Sequence, residues 1–197
     1  MFRFSREQIV FDISGVKIGG QPGENPTVMI GSIFYKGDKC VQNEKTGEFK
    51  RANAESLIVR LEEFSDKTGL PAMLDVVCSN PKNARKYLEF AADVTKMPIL
   101  IDYVSEDSAL AGMDVAKDLG IIDRTILNSI NPETKDAIYR KAEEVGLKAA
   151  IALTYSAKAI ISYKERIRLL DVLIPKMRSA GIEKILIDTV VMDIATL

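Results

Sequence analysis

Short apolar segments alternate with amphipathic stretches along most of this chain, and that alternation limits the folds it can adopt. Six apolar segments are each about as long as one β-strand. They are Thr27–Ile33, Ala72–Val77, Ile99–Val104, Thr125–Ile130, Ala149–Thr154 and Lys184–Val190. Strands that are apolar throughout, with helices between them, are typical of a parallel sheet covered by helices. The sequence therefore predicts an α/β fold.

The stretches between these segments carry helix signals. Residues Asn53–Lys67 repeat large apolar side chains at helical spacing. Capping residues predict further helices at Pro81–Lys96 and Ser105–Leu119, and a helix that opens at Asn131-Pro132. Four helices are predicted to end at glycines, which are Gly69, Gly120, Gly146 and Gly181.

The spacing of the central strands favours a barrel over an open, doubly wound sheet. Equivalent positions recur at residues 74, 100, 126 and 151, and a doubly wound sheet usually shows less regular spacing. Before the repeats, Ser14-Gly15 lies between two short apolar runs and predicts a hairpin. We therefore expect a single domain over residues 1–197. Residues 1–26 form a hairpin and lead-in, and residues 27–197 form about six strand–helix units of an incomplete (β/α)-barrel of the TIM-barrel type.

The composition excludes several kinds of chemistry. The chain has no histidine and two cysteines, so Ser-His-Asp catalysis and a closed zinc shell have no ligands, and we expect no protein-bound metal. A formal net charge of −1 disfavours nucleic acid as a partner. No apolar run approaches the roughly 20 residues that span a bilayer, and the N-terminus lacks a signal-peptide core. We expect a cytoplasmic protein.

Polar side chains recur near the carboxyl ends of the predicted strands. When the apolar cores are aligned without gaps, one polar residue per strand falls at the same position. These residues are Asp75, Asp102, Asn128, Thr154 and Asp188. In a parallel barrel such positions meet at the mouth where active sites are built, and buried acids there need partners such as ligand N–H groups. The alternative is that they cap the following helices, but Ser79, Ser105 and Asn131 already occupy the capping positions.

Several of these stretches resemble known strand signatures. Asp75-Val76-Val77, Leu100-Ile101-Asp102, Asn128-Ser129-Ile130-Asn131 and Ile187-Asp188-Thr189 are similar to those of pterin-binding enzymes related to dihydropteroate synthase. The segments Ile18–Glu24 and Gly31–Tyr35 resemble the family of the H subunit of tetrahydromethanopterin S-methyltransferase, including bacterial relatives that use tetrahydrofolate. The resemblance covers essentially the whole chain.

This resemblance implies a methyltransferase of one-carbon metabolism or methanogenesis. Its substrate would be methyl-tetrahydromethanopterin or methyl-tetrahydrofolate, and the methyl group would pass to or from the cobalt of a corrinoid (cobalamin) carried by a partner protein. Matching positions place the pyrimidine edge of the pterin on Asp102, Asn128 and Asp188, with Asp75 in support and Ser32 and Thr154 as further candidates. No catalytic residue is assigned. The partners implied are a corrinoid protein or subunits of a membrane-associated methyltransferase complex, and the chain would be a homodimer.

Two alternatives keep the fold but change the function. One is a condensing enzyme of the dihydropteroate synthase type, and the other is a non-catalytic module that binds a pterin or a partner. The chain also departs from the family, because Tyr103 follows Asp102 and because six units are present where the family has eight. From this we expect a truncated barrel with unpaired backbone at its first and sixth strands.

Overall fold

A computed structural model describes residues 2–190, so Met1 and residues 191–197 of the expected domain lie outside the described part. The strands in chain order are β1 (Val10–Ile13), β2 (Val16–Gly19), β3 (Met29–Ile33), β4 (Val41–Asn43), β5 (Glu48–Phe49), β6 (Ala72–Cys78), β7 (Ile99–Tyr103), β8 (Thr125–Ile130), β9 (Ala149–Leu153) and β10 (Lys184–Asp188). The α-helices are α1 (Arg51–Thr68), α2 (Pro81–Val94), α3 (Glu106–Asp118), α4 (Asp136–Val145) and α5 (Tyr163–Ser179).

Six parallel strands form the central sheet in the order β10, β9, β8, β7, β6, β3. A helix connects each of these strands to the next one in the sheet, as the alternation in the sequence predicts. The expected α/β architecture and incomplete barrel are confirmed. Within the described residues the sheet does not close, and β3 and β10 form its two edges.

The two faces of the sheet have different partners. One face packs against the helices and forms the larger apolar cluster, which includes Leu74, Ile101 and Leu127. The other, which we call the inner face, carries Met73, Leu100 and Ile126 at its centre. Because strand side chains alternate, residues two positions further along these strands also belong to the inner face.

The N-terminal hairpin covers the amino-terminal end of the inner face. Ile13 of β1 is fully buried in the cluster with Met73 and Leu100. The turn between β1 and β2 has positive φ at Ser14 and Gly15, as expected for a two-residue hairpin turn. Lys184 Nζ on β10 donates to the carbonyl oxygen of Asp12 at 2.6 Å. The hairpin thus leaves the carboxyl-terminal end of the inner face as the open end.

Local sequence determines where helix α2 begins. The side chain of Asn80 accepts from the backbone N–H groups of Lys82 and Asn83, and Pro81 occupies the first turn. Tyr87 of this helix is fully buried and stacks on Phe34, with 4.0 Å between ring centroids. Phe34 is therefore part of the core under the β3–α1 connection.

The predicted start of the fourth helix is wrong. Helix α4 begins at Asp136, with Lys135 as its N-cap, and Asn131-Pro132 lies in a turn before it. Asn131 Oδ1 accepts from the backbone N–H of Glu133 at 2.8 Å. The asparagine therefore satisfies a local turn, which Asn side chains favour as readily as a helix cap.

Candidate functional site

Four polar side chains meet near the carboxyl ends of β3, β6, β7 and β8 on the inner face. Ser32 on β3 is paired with Asp75 on β6, and Asp102 on β7 is paired with Asn128 on β8. Asp75 is paired with Leu100, so it lies two residues deeper in the sheet than Asp102. We call Ser32, Asp75, Asp102 and Asn128 the inner-face cluster. The predicted convergence of Asp75, Asp102 and Asn128 at this end of the sheet agrees with the structure.

Asp75 is the buried member of the inner-face cluster, with 4% of its surface exposed. Its Oδ2 accepts from Ser32 Oγ at 2.8 Å, and its Oδ1 accepts from Asn128 Nδ2 at 3.1 Å. Burial raises the pKa of this carboxyl, and the hydrogen bonds from Asn128 and Ser32 act in the opposite direction. The burial of Asp75 is thus compensated by neighbouring side chains.

Asp102 has a different environment. It is partly exposed, and none of the hydrogen bonds or ion pairs among residues 2–190 includes its carboxylate. Burial, and secondarily the charge of Asp75, raise the pKa of Asp102 to about 6. A carboxylate with accessible lone pairs and an unfavourable ionised state is well suited to accept hydrogen bonds from a ligand.

Asp188 lies on the edge strand β10 and shares no hydrogen bond with the inner-face cluster. It ends β10, which is separated from β8 by β9, and its exposed side chain accepts from the backbone N–H of Val190 at 2.7 Å. The described residues therefore do not bring Asp188 into the hydrogen-bonded group around Asp75. Its role toward a ligand stays a prediction.

Thr154 does not have the orientation that the gap-free alignment predicts. In the sheet Leu153, not Thr154, is paired with Asp188, so Thr154 belongs to the opposite phase from Asp188. A slip of one residue moves a side chain to the other face of a sheet. Thr154 is fully buried, and its Oγ1 donates to the carbonyl oxygen of Asp188 at 2.7 Å. This hydrogen bond joins the end of β9 to the end of β10.

Two supporting contacts in the structure are not predicted from the sequence. Ser32 reaches Asp75 across the β3–β6 pair, a contact between residues 43 positions apart. The hydroxyl of Tyr103 donates to the carbonyl oxygen of Ser129 at 2.5 Å and joins the ends of β7 and β8. The only sequence signal for the second contact is the unusual tyrosine immediately after Asp102.

Neither cysteine is placed for chemistry at this site. Burial is the main cause that raises the pKa of the Cys40 thiol to about 12, and burial also raises the pKa of Cys78. Among residues 2–190, no group of three or more His, Cys, Asp or Glu side chains could hold a metal ion. In the same part of the chain, no helix has the length and apolar character to cross a membrane.

Parallel barrels build their active sites at the carboxyl ends of the strands, and this α/β sheet carries acids and an amide at those ends of adjacent strands. The comparison with known families identifies the particular group. A family model described as the tetrahydromethanopterin S-methyltransferase MtrH subunit matches residues 6–196, and the chain belongs to this family.

Individual relatives agree with this assignment. The H subunit of tetrahydromethanopterin S-methyltransferase from Methanothermobacter thermautotrophicus is 46% identical over 156 residues, which are 79% of this chain and 50% of that protein. The same subunit of Methanopyrus kandleri is 40% identical over 77% of this chain and 47% of its own length. The H subunit of a putative mtx methyltransferase from Methanosarcina mazei is 35% identical over 80% of this chain and 51% of its own length. The chain spans about half the length of these curated relatives.

Proposed function

We propose that this chain belongs to a methyltransferase subunit that binds a methylated reduced pterin, methyl-tetrahydromethanopterin or methyl-tetrahydrofolate, and exchanges its methyl group with a corrinoid protein. The names of the relatives support the methyltransferase activity and the pterin. The observation that carries the proposal is the inner-face cluster, in which the accessible carboxylate of Asp102 lies beside the amide of Asn128 at the open end of the sheet.

The chemistry of the inner-face cluster matches the edge of a pterin. The pyrimidine edge of a pterin offers N–H and NH₂ donors beside a carbonyl acceptor. Asp102 accepts from such donors, and an amide such as Asn128 both accepts and donates. Ligand N–H groups would replace the water lost by Asp102 and offset its repulsion by Asp75. Asp188 and Ser32 remain proposed pterin-binding residues, and Thr154 is not proposed for this role, because it is buried and its hydroxyl donates to the carbonyl oxygen of Asp188.

The proposed transfer asks the protein mainly to hold and orient the pterin. The bond between the methyl carbon and the pterin nitrogen breaks, and its electron pair stays on the nitrogen, which must take up a proton or a hydrogen bond. A reduced cobalt brought by the partner protein would supply the nucleophile.

The proposal extends to assembly and location. The relatives are named as subunits, which supports a multi-subunit methyltransferase complex as the setting. We propose a cytoplasmic chain that acts beside a membrane complex and forms a homodimer. A binding module without turnover is the second candidate, because the hydrogen-bonding groups of the inner-face cluster suit binding as well as turnover.

A spectroscopic assay tests the proposed transfer. The chain is mixed with methyl-tetrahydromethanopterin, or separately with methyl-tetrahydrofolate, and with free reduced cobalamin, and the cobalt absorption spectrum is followed. Conversion of the reduced cobalt to methyl-cobalt, dependent on both protein and pterin, is expected. Pterin binding without conversion would favour the binding module, and absence of both would contradict the proposal.

A further inference from the structure

Asp75 and Asp102 differ in the surface that they leave for a ligand. Both oxygens of Asp75 already accept a hydrogen bond, and the residue is 4% exposed. The carboxylate of Asp102 has no partner within the described part of the chain and is less buried. A ligand in the mouth would therefore meet Asp102 directly, whereas Asp75 lies behind Asn128 and Ser32.

The contact with Asp75 determines how the amide of Asn128 is oriented. An ionised carboxylate offers only acceptors, so the Asn128 atom 3.1 Å from Asp75 Oδ1 is the nitrogen Nδ2. The carbonyl oxygen Oδ1 is consequently the other branch of the amide. Among residues 2–190, the only buried side-chain nitrogen or oxygen without a partner is the hydroxyl of Tyr87. Asn128 Oδ1 accepts no hydrogen bond from these residues, so it remains in contact with solvent.

We propose that Asp75 is a positioning residue, which fixes the Asn128 amide with its oxygen toward the ligand, beside the carboxylate of Asp102. The inner-face cluster then presents acceptors from two adjacent strands to a flat ligand edge that carries neighbouring N–H donors. With the amide reversed, its NH₂ group would face those donors, and the site would reject the same ligand. This inference rests on the proposed pterin-binding function and deepens it.

Ser32 supports the same arrangement from the other side. Its hydroxyl donates to Asp75 Oδ2 at 2.8 Å, so the carboxylate is held between β3 and β8. Ser32 has no direct part in the orientation of Asn128. It acts by keeping Asp75 in the rotamer that faces the amide.

An exchange of the two groups tests the positioning role. Affinity for methyl-tetrahydromethanopterin is measured by calorimetry with the full chain for wild type, Asp75→Leu, Asn128→Asp and the double variant Asp75→Asn/Asn128→Asp. Asp75→Leu removes the acceptor that holds the Asn128 amide nitrogen, and Asn128→Asp opposes two carboxylates, so each should weaken binding by roughly tenfold or more. The double variant restores one donor facing one carboxylate and keeps an acceptor at position 128. It should recover affinity to within about threefold of wild type.

The outcomes separate this inference from the proposed function. A wild-type chain that does not bind the pterin would overturn the proposed function and the inference with it. Binding by wild type, together with a folded double variant as weak as the single variants, would overturn only the positioning role. So would wild-type affinity in a folded Asp75→Leu variant. If the double variant does not fold, Ser32→Ala should weaken binding severalfold and Ser32→Thr should restore it, and equal affinities of these two variants would refute the inference.

Discussion

At the scale of single residues, Asp75 and Asp102 are neighbouring acids that differ in their hydrogen-bond partners. Asp75 accepts hydrogen bonds from Ser32 and Asn128, and Asp102 has no such partner in the described residues. Burial raises the pKa of both carboxyls, and the pKa of Asp102 is raised to about 6. Ionising Asp102 therefore costs free energy in the ligand-free protein. A ligand that donates hydrogen bonds to the carboxylate would lower this cost when it binds.

This cost predicts a pH-dependent effect of Asp102→Asn on stability. Between the ordinary pKa of 3.8 and the raised pKa of about 6, the folded protein binds the Asp102 proton more tightly than the unfolded chain. Stability of the wild type therefore falls as pH rises through this window. The neutral variant avoids this loss. It should match wild type near pH 4 and exceed it above pH 6 by on the order of 1 kcal/mol, after allowance for the partial exposure of Asp102.

Urea unfolding of the wild type and Asp102→Asn from pH 4 to pH 8 measures this difference. Asp136→Asn is a matched control, because the exposed carboxyl of Asp136 has its pKa lowered, chiefly by a hydrogen bond from Lys176. Its loss should not stabilise the protein at high pH. An Asp102→Asn variant that is equally or less stable than wild type at pH 8 would show that the ionised carboxylate is not strained.

At the scale of strands and helices, the sequence predicted which segments form the elements more reliably than how they align. All six predicted strands are present, because apolar runs between helix signals leave few alternatives. The register is set by packing between segments far apart in the chain. Asp75 therefore lies two residues deeper than the gap-free alignment predicts, and Thr154 lies on the other face.

Strand register also limits how much of the inner-face cluster can be predicted from the sequence. The positions of Asp102 and Asn128 at the ends of neighbouring strands were predicted from the pattern and are paired in the sheet. The link from Ser32 to Asp75 depends on how β3 pairs with β6, which no local sequence signal specifies. The short strands β4 and β5, of three and two residues, were missed because so few residues show no period.

Thr154→Val tests the corrected orientation. The variant keeps the shape of the side chain and loses the hydroxyl that donates to the carbonyl oxygen of Asp188. We expect a loss of about 1 kcal/mol in the free energy of unfolding and no change in pterin affinity. Denaturant unfolding and calorimetry measure the two effects. A large loss of affinity with little loss of stability would return Thr154 to the binding site.

At the scale of the whole sheet, exposed apolar side chains beside the edge strand β3 of the described residues bear on association. The edge strand β3 carries Met29 and Ile30, and each of these side chains is about half exposed. Helix α1 exposes Leu57 and Phe64 to a similar degree. Exposed apolar side chains that lie close together favour contacts between chains.

We therefore expect this 197-residue chain to self-associate as its concentration rises, which sedimentation velocity measures. Phe64→Lys places a charge on the exposed surface of α1 and should lower the extent of association without changing the helix content. Glu63→Lys, an exposed position on the same helix, is the control for added positive charge. A monodisperse monomer at all concentrations would contradict this expectation.

The central claim is that the inner-face cluster binds the pyrimidine edge of a pterin. Calorimetric titration of methyl-tetrahydromethanopterin into the wild type and Asp102→Ala tests it most directly, with Thr154→Val as the control on the opposite face. Loss of a hydrogen bond to a charged acceptor should weaken binding to Asp102→Ala by about 1.5–3 kcal/mol, while Thr154→Val binds as the wild type does. Equal affinities of the wild type and a folded Asp102→Ala variant would contradict the claim.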